Sequence, residues 1–194
     1  TSIGVSAFGG CSSLTSITIP ENVTSIREDA FRECSSLTTI TLPEGVMSIG
    51  SGAFYNCRSL TAINIPEGVS RIGSHAFYEC SALTTITLPK SVRDIYSYVF
   101  AGCPELSDVY CYAETVPYTE ADAFNGSYIE DATLHVPASA MNAYKKKAPW
   151  SGFGKFETTS IAVERITLSQ SSATLTEGEE MTLTATVEPD DAAD

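Results

Sequence analysis

Positively charged residues are scarce in this sequence. Lysine and arginine number 11 against 24 aspartate and glutamate residues, so the formal net charge of the 194-residue chain is −13. A field of this sign repels phosphate backbones and anionic lipid headgroups, so we expect no nucleic acid partner. Long apolar runs are also missing, and none approaches the roughly 20 residues that cross a bilayer. We therefore expect contact with a membrane only through an anchor outside this chain.

Groups that commonly perform catalysis or hold cofactors are few as well. The chain has two histidines, His75 and His135, and neither accompanies a serine or cysteine on a sharp turn, as a base accompanies its nucleophile. The glycine pairs lack a phosphate-loop signature, and the acidic residues at 188–191 lack the alternating spacing of a calcium loop. We therefore predict a protein that is not an enzyme and has no cofactor or metal.

The dominant feature of the sequence is a repeat of 23 residues. A phenylalanine recurs at this interval, and a cysteine follows each phenylalanine three residues later, at Phe8 and Cys11, Phe31 and Cys34, Phe54 and Cys57, Phe77 and Cys80, and Phe100 and Cys103. Units of this length cannot bury their own apolar face, so they stack on their neighbours as a solenoid. Because Ser2-Ile3-Gly4 aligns with the middle of a unit, we expect the chain to begin inside a longer protein.

Each unit combines two short extended pieces with a turn. Ile40 and Leu42 alternate as in a strand with one buried face, and Pro43 ends that strand. A second extended piece carries Val46 and Ile49, and a loose helical turn follows around 53–57. Strands of successive units are expected to lie about 4.8 Å apart as a parallel sheet on one face of the solenoid.

All six cysteines are predicted to be core residues. Five share one repeat position, and Cys111 falls in the column of Ile19, Leu42, Ile65 and Leu88. Free cysteine packs as a small buried hydrophobe. Disulfide bridges or metal binding remain the alternative, although stacked positions do not supply the closed tetrahedral ligand set of a zinc site.

The pattern A-F-x-x-C-x-x-L-x-x-I-x-L-P-x-x-V-x-x-I, read from Ala30 to Ile49, resembles the BspA-type leucine-rich repeat of bacterial surface proteins. The resemblance runs over 1–136 in about six units, of which the last two are degenerate. It implies an α+β leucine-rich-repeat solenoid, right-handed and curved like a horseshoe, on the bacterial cell surface or secreted. It also implies a role in adhesion through a host or matrix protein or a glycan.

The segment 137–158 is predicted to close the solenoid. A C-terminal capping helix is expected over 138–148, with Ser139 at its start, Pro149 after its end and three lysines on a solvated last turn. Three aromatic residues follow at Trp150, Phe153 and Phe156. A helix and three aromatic rings would cover the slice of core that the end of a solenoid exposes.

The residues 159–194 have a different pattern. Val163, Ile166 and Leu168 alternate with polar residues, as do Ala173 and Leu175 and the stretch 181–187, and the turn is expected at 177–179. This segment resembles the opening of a group 2 bacterial immunoglobulin-like (Big_2) domain. It covers two or three strands where a complete sandwich has about seven, so a truncated all-β fragment is expected.

The outward positions of the repeat strands give a candidate binding face. One column holds Thr18, Thr41, Asn64, Thr87, Tyr110 and His135, and its neighbour holds Ser16, Thr39, Ala62, Thr85 and Asp108. Threonine is a common residue of an exposed strand, whereas tyrosine and a few directional polar groups are typical of recognition. The candidate ligand-binding residues are therefore Asn64, Asp108, Tyr110, Tyr112 and His135, and free drift of a degenerate repeat is the alternative.

Three functions are compatible with this face. The first is a non-catalytic binding or adhesion protein that recognises a host or matrix protein or a glycan. The second is a structural spacer or envelope protein with no specific ligand, which a uniform threonine face favours. The third, a surface glycosidase, needs two carboxylates on one surface, and the two columns offer Asp108 alone.

Overall fold

The computed structural model describes residues 1–159, 163–168 and 185–189. The chain divides into two compact units, Thr1–Thr159 and Ser160–Asp194. The first unit is a parallel β-solenoid of about seven turns with a repeat of about 23 residues. The expected solenoid and its period are therefore confirmed.

Two parallel sheets run along the solenoid instead of the single sheet that the repeat predicts. The first sheet contains six two-residue strands in the order β1-β2-β3-β5-β7-β9, namely Ser2–Ile3, Ser25–Ile26, Ser48–Ile49, Arg71–Ile72, Asp94–Ile95 and Tyr118–Thr119. It forms because the second extended piece of each unit also pairs with its neighbours. The last residue of most of these strands is a buried isoleucine.

The second sheet carries the columns of outward residues. Its strands pair in the order β11-β10-β8-β6-β4, and their bounds are β4 Ala62–Asn64, β6 Thr85–Leu88, β8 Asp108–Cys111, β10 Thr133–Val136 and β11 Lys155–Thr158. Thr18 and Thr41 form an isolated parallel bridge in the two preceding turns. Alternate residues of these strands face the core, as the period of two requires.

The third side of each turn is held by backbone hydrogen bonds rather than by a helix. The N–H of Phe31 donates to the carbonyl of Ala53 at 2.8 Å, and the same bond recurs between Phe54 and Ala76. Two residues of each such turn have a left-handed backbone, for example Asp29 with φ +52° and Glu33 with φ +59°. A right-handed helix cannot continue through them. The expected α+β class is therefore wrong for this unit, which contains very little helix.

Stacked phenylalanine rings run through the core from turn to turn. The rings from Phe8 to Phe100 lie 5.1 to 5.6 Å apart and within 9° of parallel. Phe124 continues the stack at 5.4 Å from Phe100. Each ring therefore covers the face of the next one, and no turn buries its aromatic side chain alone.

Five of the six cysteines are buried and all six are free thiols. The S–H of each buried repeat cysteine donates to a phenylalanine carbonyl of an earlier turn, as Cys57 does to Phe31 at 3.1 Å. Burial raises the pKa of Cys57 and of Cys103 to about 12. Cys11, in the first turn of the given sequence, is exposed, contrary to the prediction.

The predicted capping helix is much shorter in the structure. It extends only over α1, Met141–Tyr144, and it begins after Ala140 with no side-chain cap from Ser139. The carbonyl of Pro137 accepts the N–H of both Ala140 and Met141, so the preceding residues form a turn. A 3₁₀ helix follows at Trp150–Gly152.

The same segment makes specific contacts with the repeats. The hydroxyl of Tyr144 donates to the carbonyl of Ala113 at 2.8 Å, and the Nε1–H of Trp150 donates to Thr119 Oγ1 at 3.0 Å. The three lysines are exposed, as expected, but they follow the helix, and the Nζ of Lys147 also donates to two backbone carbonyls of 116–117. The ring of Trp150 meets Phe124 edge to face at 5.5 Å.

The second unit is described only in part. Strand β12, Val163–Leu168, pairs antiparallel with β13, Ala185–Pro189. Both strands overlap stretches that the sequence predicts to be extended. The expected strand around Ala173 and Leu175 and the turn at 177–179 lie outside the described residues.

Truncating one buried side chain of the repeat should destabilise the solenoid. Leu60 is fully buried, whereas Leu14, at the same repeat position in the first turn, is only partly buried. We expect Leu60→Ala to lower the free energy of unfolding by about 2 to 5 kcal/mol because a buried cavity remains. Leu14→Ala should cost clearly less, as chemical denaturation of both variants would measure. Equal losses would contradict the stacking of turns.

Thiol accessibility should separate Cys11 from the other cysteines. Thiolate is the reactive form, and burial raises the pKa of Cys34 and Cys111 to about 11. We expect a disulfide reagent at pH 8 to modify one thiol per native chain and all six after denaturation. Cys11→Ser should abolish the native reaction, and rapid modification of several native thiols would contradict the buried ladder.

Candidate functional site

The register of the second sheet aligns the outward residues in two rows. The first row is Ala62, Thr85, Asp108, Thr133 and Lys155, and the second row is Asn64, Thr87, Tyr110, His135 and Glu157. These two rows correspond to the two columns predicted from the repeat, and Thr133 of β10 and Lys155 and Glu157 of β11 extend them. The face therefore continues one strand beyond the recognisable repeats.

Three of the candidate residues lie together. His135 Nε2 is 2.9 Å from Asp108 Oδ1, a hydrogen bond that the carboxylate accepts. The rings of Tyr110 and His135 stack with centroids 4.1 Å apart and planes within 7°. His135 is buried, with only 8% of its surface accessible to solvent. We call Asp108, Tyr110 and His135, with Lys155 and Glu157 of β11, the Tyr–His cluster.

Strand β11 supplies two residues that the sequence interpretation missed. Glu157 Oε2 lies 3.6 Å from Nδ1 of His135, and the Lys155 ammonium pairs with the same carboxylate group. The stretch Lys155-Phe156-Glu157 alternates polar, apolar and polar, with Phe156 partly buried. This alternation was the available signal for a strand, but we assigned Phe156 only to an aromatic closing segment.

Both carboxylates of the Tyr–His cluster favour the ionised form. The hydrogen bond from His135 lowers the pKa of Asp108, helped by a hydrogen bond from the Ser107 hydroxyl and opposed by partial burial. The hydrogen bond from Lys155 lowers the pKa of Glu157. The imidazole of His135 therefore lies between two negative groups, and it is fixed in orientation by both of them and by Tyr110.

Asn64 lies apart from the Tyr–His cluster. It is exposed and two strands away from Tyr110, about 10 Å at the usual strand spacing. A shallow cavity of about 280 Å³ adjoins it, lined by Thr39, Thr41 and the small Ala62 among others. The cavity opens where Ala62 takes the place of a threonine in its row.

Tyr112 lies outside the strand ladder. It follows the end of β8, and its N–H donates to the carbonyl of Leu88 at 3.1 Å. The corresponding position in earlier turns is a proline, such as Pro89. The structure therefore brings together Asp108, Tyr110 and His135 of the five candidates.

His75 belongs to a second aromatic group on the turn side. Its ring stacks on Tyr98 at 5.1 Å, and Tyr55 and Tyr78 stack beside it at the same distance. The guanidinium of Arg32 lies 4.1 Å from the ring centroid of Tyr55. The left-handed backbone of His75 is common to the whole repeat position, which is held by Ser6, Asp29, Gly52 and Tyr98 in other turns.

The part of the chain that the structure describes lacks two further features. Within it, no group of three or more histidine, cysteine or acidic side chains is arranged to hold a metal ion. No helix there is both long and apolar enough to cross a membrane.

The acid sensitivity of the fold should depend on Asp108. The pKa of this carboxyl in the folded chain lies below its ordinary value of 3.8, so its interactions stabilise the fold above that value and are lost as the pH falls through the folded pKa. We expect Asp108→Asn to reduce the loss of stability between about pH 5 and pH 3, by no more than about 1 kcal/mol because the group is partly exposed.

Denaturant unfolding at several pH values would measure this difference. Glu105→Gln, which alters an exposed carboxylate outside the Tyr–His cluster, is the matched control. It should leave the loss of stability at low pH almost unchanged. If the wild-type chain and Asp108→Asn lost the same stability at low pH, the role given to the bond between Asp108 and His135 would be contradicted.

Comparison with known proteins agrees with this architecture. Residues 1–133 match six copies of the family described as BspA type Leucine rich repeat region. No curated protein matches the chain.

The solved structures that are similar to this chain include two leucine-rich repeat or surface-antigen proteins. A leucine-rich repeat protein of T. pallidum is 31% identical, with 68% of this chain and 60% of that chain covered and a TM-score of 0.58. The pneumococcal vaccine antigen PcpA is 19% identical, with 81% and 38% covered and a TM-score of 0.67. The chain thus spans 60% and 38% of the lengths of these two proteins. By the match over residues 1–133, the chain belongs to the BspA-type leucine-rich repeat family.

Proposed function

We propose that the chain is a non-catalytic binding or adhesion protein that recognises a host or matrix protein or a glycan through the second sheet. The observation that carries this proposal is the change of the outward row from threonine to the stacked pair of Tyr110 and His135. Aromatic side chains with a few oriented polar partners are typical of recognition surfaces. Asn64 and Tyr112 are proposed as flanking residues of the same face.

The Tyr–His cluster is well suited to binding because it is already ordered. His135 is held by Asp108, by Glu157 and by the ring of Tyr110, and all of them stand on strands rather than on loops. A partner would therefore not have to order these side chains. Preorganisation of this kind reduces the entropic cost of binding.

The contacts of the Tyr–His cluster support binding rather than catalysis. The hydroxyl of Ser107 donates to Asp108 at 2.9 Å, so it is oriented by a carboxylate and not by an imidazole, as a nucleophile would be. Asp108 and Glu157 lie on the two nitrogens of one histidine. A glycosidase instead needs its two carboxyl groups on either side of a bound sugar.

We also propose a location outside the bacterial cell, at the surface or secreted, as the family resemblance implies. The segment 137–158 would close the solenoid, since Tyr144 and Trp150 are buried against the last turns. The residues after 159 would begin an immunoglobulin-like module, for which the antiparallel pair of β12 and β13 is a suitable start.

A structural spacer is the second candidate function. Threonine occupies positions 18, 41 and 87, which are three of the first four residues of this outward row. A repeated surface without a distinctive site would set length and stiffness alone. The two candidates differ in one property, namely whether the Tyr–His cluster has a partner.

Binding assays should distinguish the two candidates. We expect the chain, tested against immobilised matrix proteins and glycans, to retain at least one partner. Replacing Tyr110 and His135 together by threonine, the common residue of their row, should weaken that binding about tenfold or more because the aromatic pair is lost.

Thr18→Ala, at an exposed position of the same row, is the control and should leave affinity unchanged. Circular dichroism should show that both variants are folded. Binding that survives the double replacement would place recognition elsewhere, and the absence of any partner would favour the spacer.

A further inference from the structure

We propose that the face of the Tyr110 ring turned toward Thr87 is a platform for one ring of a neutral glycan. The inference rests on the proposed binding function and names the chemical class of its ligand. The floor of the site would be Thr85 and Thr87 on the adjacent strand β6 and Asn64 on the strand beyond it, β4.

One face of the Tyr110 ring is covered by the ring of His135, and the side chain of Tyr110 remains partly exposed. Tyr110 and His135 are register partners on neighbouring strands, and their rings are parallel within 7° at 4.1 Å. The rings therefore stack along the direction in which strands succeed each other. On the opposite side the register partner of Tyr110 is Thr87. A threonine side chain carries only a hydroxyl and a methyl group on its β-carbon, so it is too short to cover a phenol ring one strand away.

The floor beside the open face is polar and uncharged. Thr85 and Thr87 are partly exposed and Asn64 is exposed, so hydroxyl and amide groups, which can both donate and accept hydrogen bonds, face solvent. The shallow cavity next to Asn64 lies on the other side of this residue, toward Thr39 and Thr41, and its lining includes Glu44 and Glu67, so it is not part of this floor. The ring of Tyr110 thus projects from the sheet, and hydroxyl and amide groups that can form hydrogen bonds lie on the sheet surface beside it.

A sugar ring matches this combination of groups. Its C–H face can lie on the negative face of an aromatic ring, while its hydroxyls exchange hydrogen bonds with threonine and asparagine. The ligand should be neutral because the nearby charges are already paired, Asp108 with His135 and Glu157 with Lys155. Successive strands about 4.8 Å apart would allow neighbouring sugars of one chain to contact successive rows.

A protein partner fits this site less well. The core of a protein interface is built from apolar and aromatic anchors that lose their water. Among the described residues, the exposed large apolar side chains are Val5, Met47, Tyr96, Tyr118 and Tyr128, and none of these belongs to the two outward rows. At the proposed site, Tyr110 is the aromatic side chain, and its neighbours on the preceding strands are threonine and asparagine.

The test uses the full chain and calorimetric titration with a panel of neutral oligosaccharides, comprising the tetrasaccharides of cellulose, chitin and starch, with sialyllactose as an anionic comparison. We expect at least one neutral oligosaccharide to bind more tightly than sialyllactose. Thr87→Tyr should weaken that binding about tenfold or more, because a third ring would continue the stack and occupy the open face.

Two further variants complete the design. Thr18→Tyr adds the same ring to the same row far from Tyr110 and should leave affinity unchanged. Tyr110→Phe keeps the ring and should retain binding within about threefold, whereas Tyr110→Thr should lose it.

The outcomes separate this inference from the proposed function. If a matrix protein binds through Tyr110 and no neutral oligosaccharide binds, the glycan platform is wrong and the binding function stands. If an oligosaccharide binds equally well to Thr87→Tyr, the platform is also wrong. If neither proteins nor glycans bind, both proposals fail.

Discussion

Contact between successive turns is the interaction on which the whole solenoid depends. A turn of 23 residues has no hydrophobic core of its own, so each apolar side chain is buried only by its counterparts in the turns before and after. The parallel rings of Phe31, Phe54 and Phe77 and the hydrogen bonds from buried thiols to carbonyls both express this constraint. Inner positions must therefore repeat, whereas outer positions are free to vary.

This division explains where a function can arise. An outward residue can change without disturbing the core, but it keeps the position that the sheet register assigns to it. Asp108, His135 and Glu157 are far apart in the sequence and come together because they lie on three neighbouring strands. A change from threonine to tyrosine and histidine thus produces an ordered cluster at no cost to the stacking beneath it.

The segment after the last turns has two roles in the structure. Tyr144 and Trp150 donate hydrogen bonds to groups of those turns and bury their rings against them. Strand β11, a few residues later, joins the second sheet and contributes Lys155 and Glu157 to the Tyr–His cluster. The closing of the solenoid and the completion of its most distinctive surface therefore involve the same short stretch of chain.

The sequence by itself determined the repeat, the stacking and the identity of the columns, because a strict period restricts which residue types can be buried. It also indicated Asp108, Tyr110 and His135, as departures from that period. Only the tertiary structure decided that a left-handed backbone at residues such as Asp29 excludes helix, and that β11 brings Glu157 to His135. The left-handed position recurs every 23 residues, but it is filled by residues as different as Asp29, Gly52 and Tyr98, so no residue pattern marks it. Strand β11 follows the closing segment and lies outside the 23-residue period, so the repeat does not align Glu157 with His135.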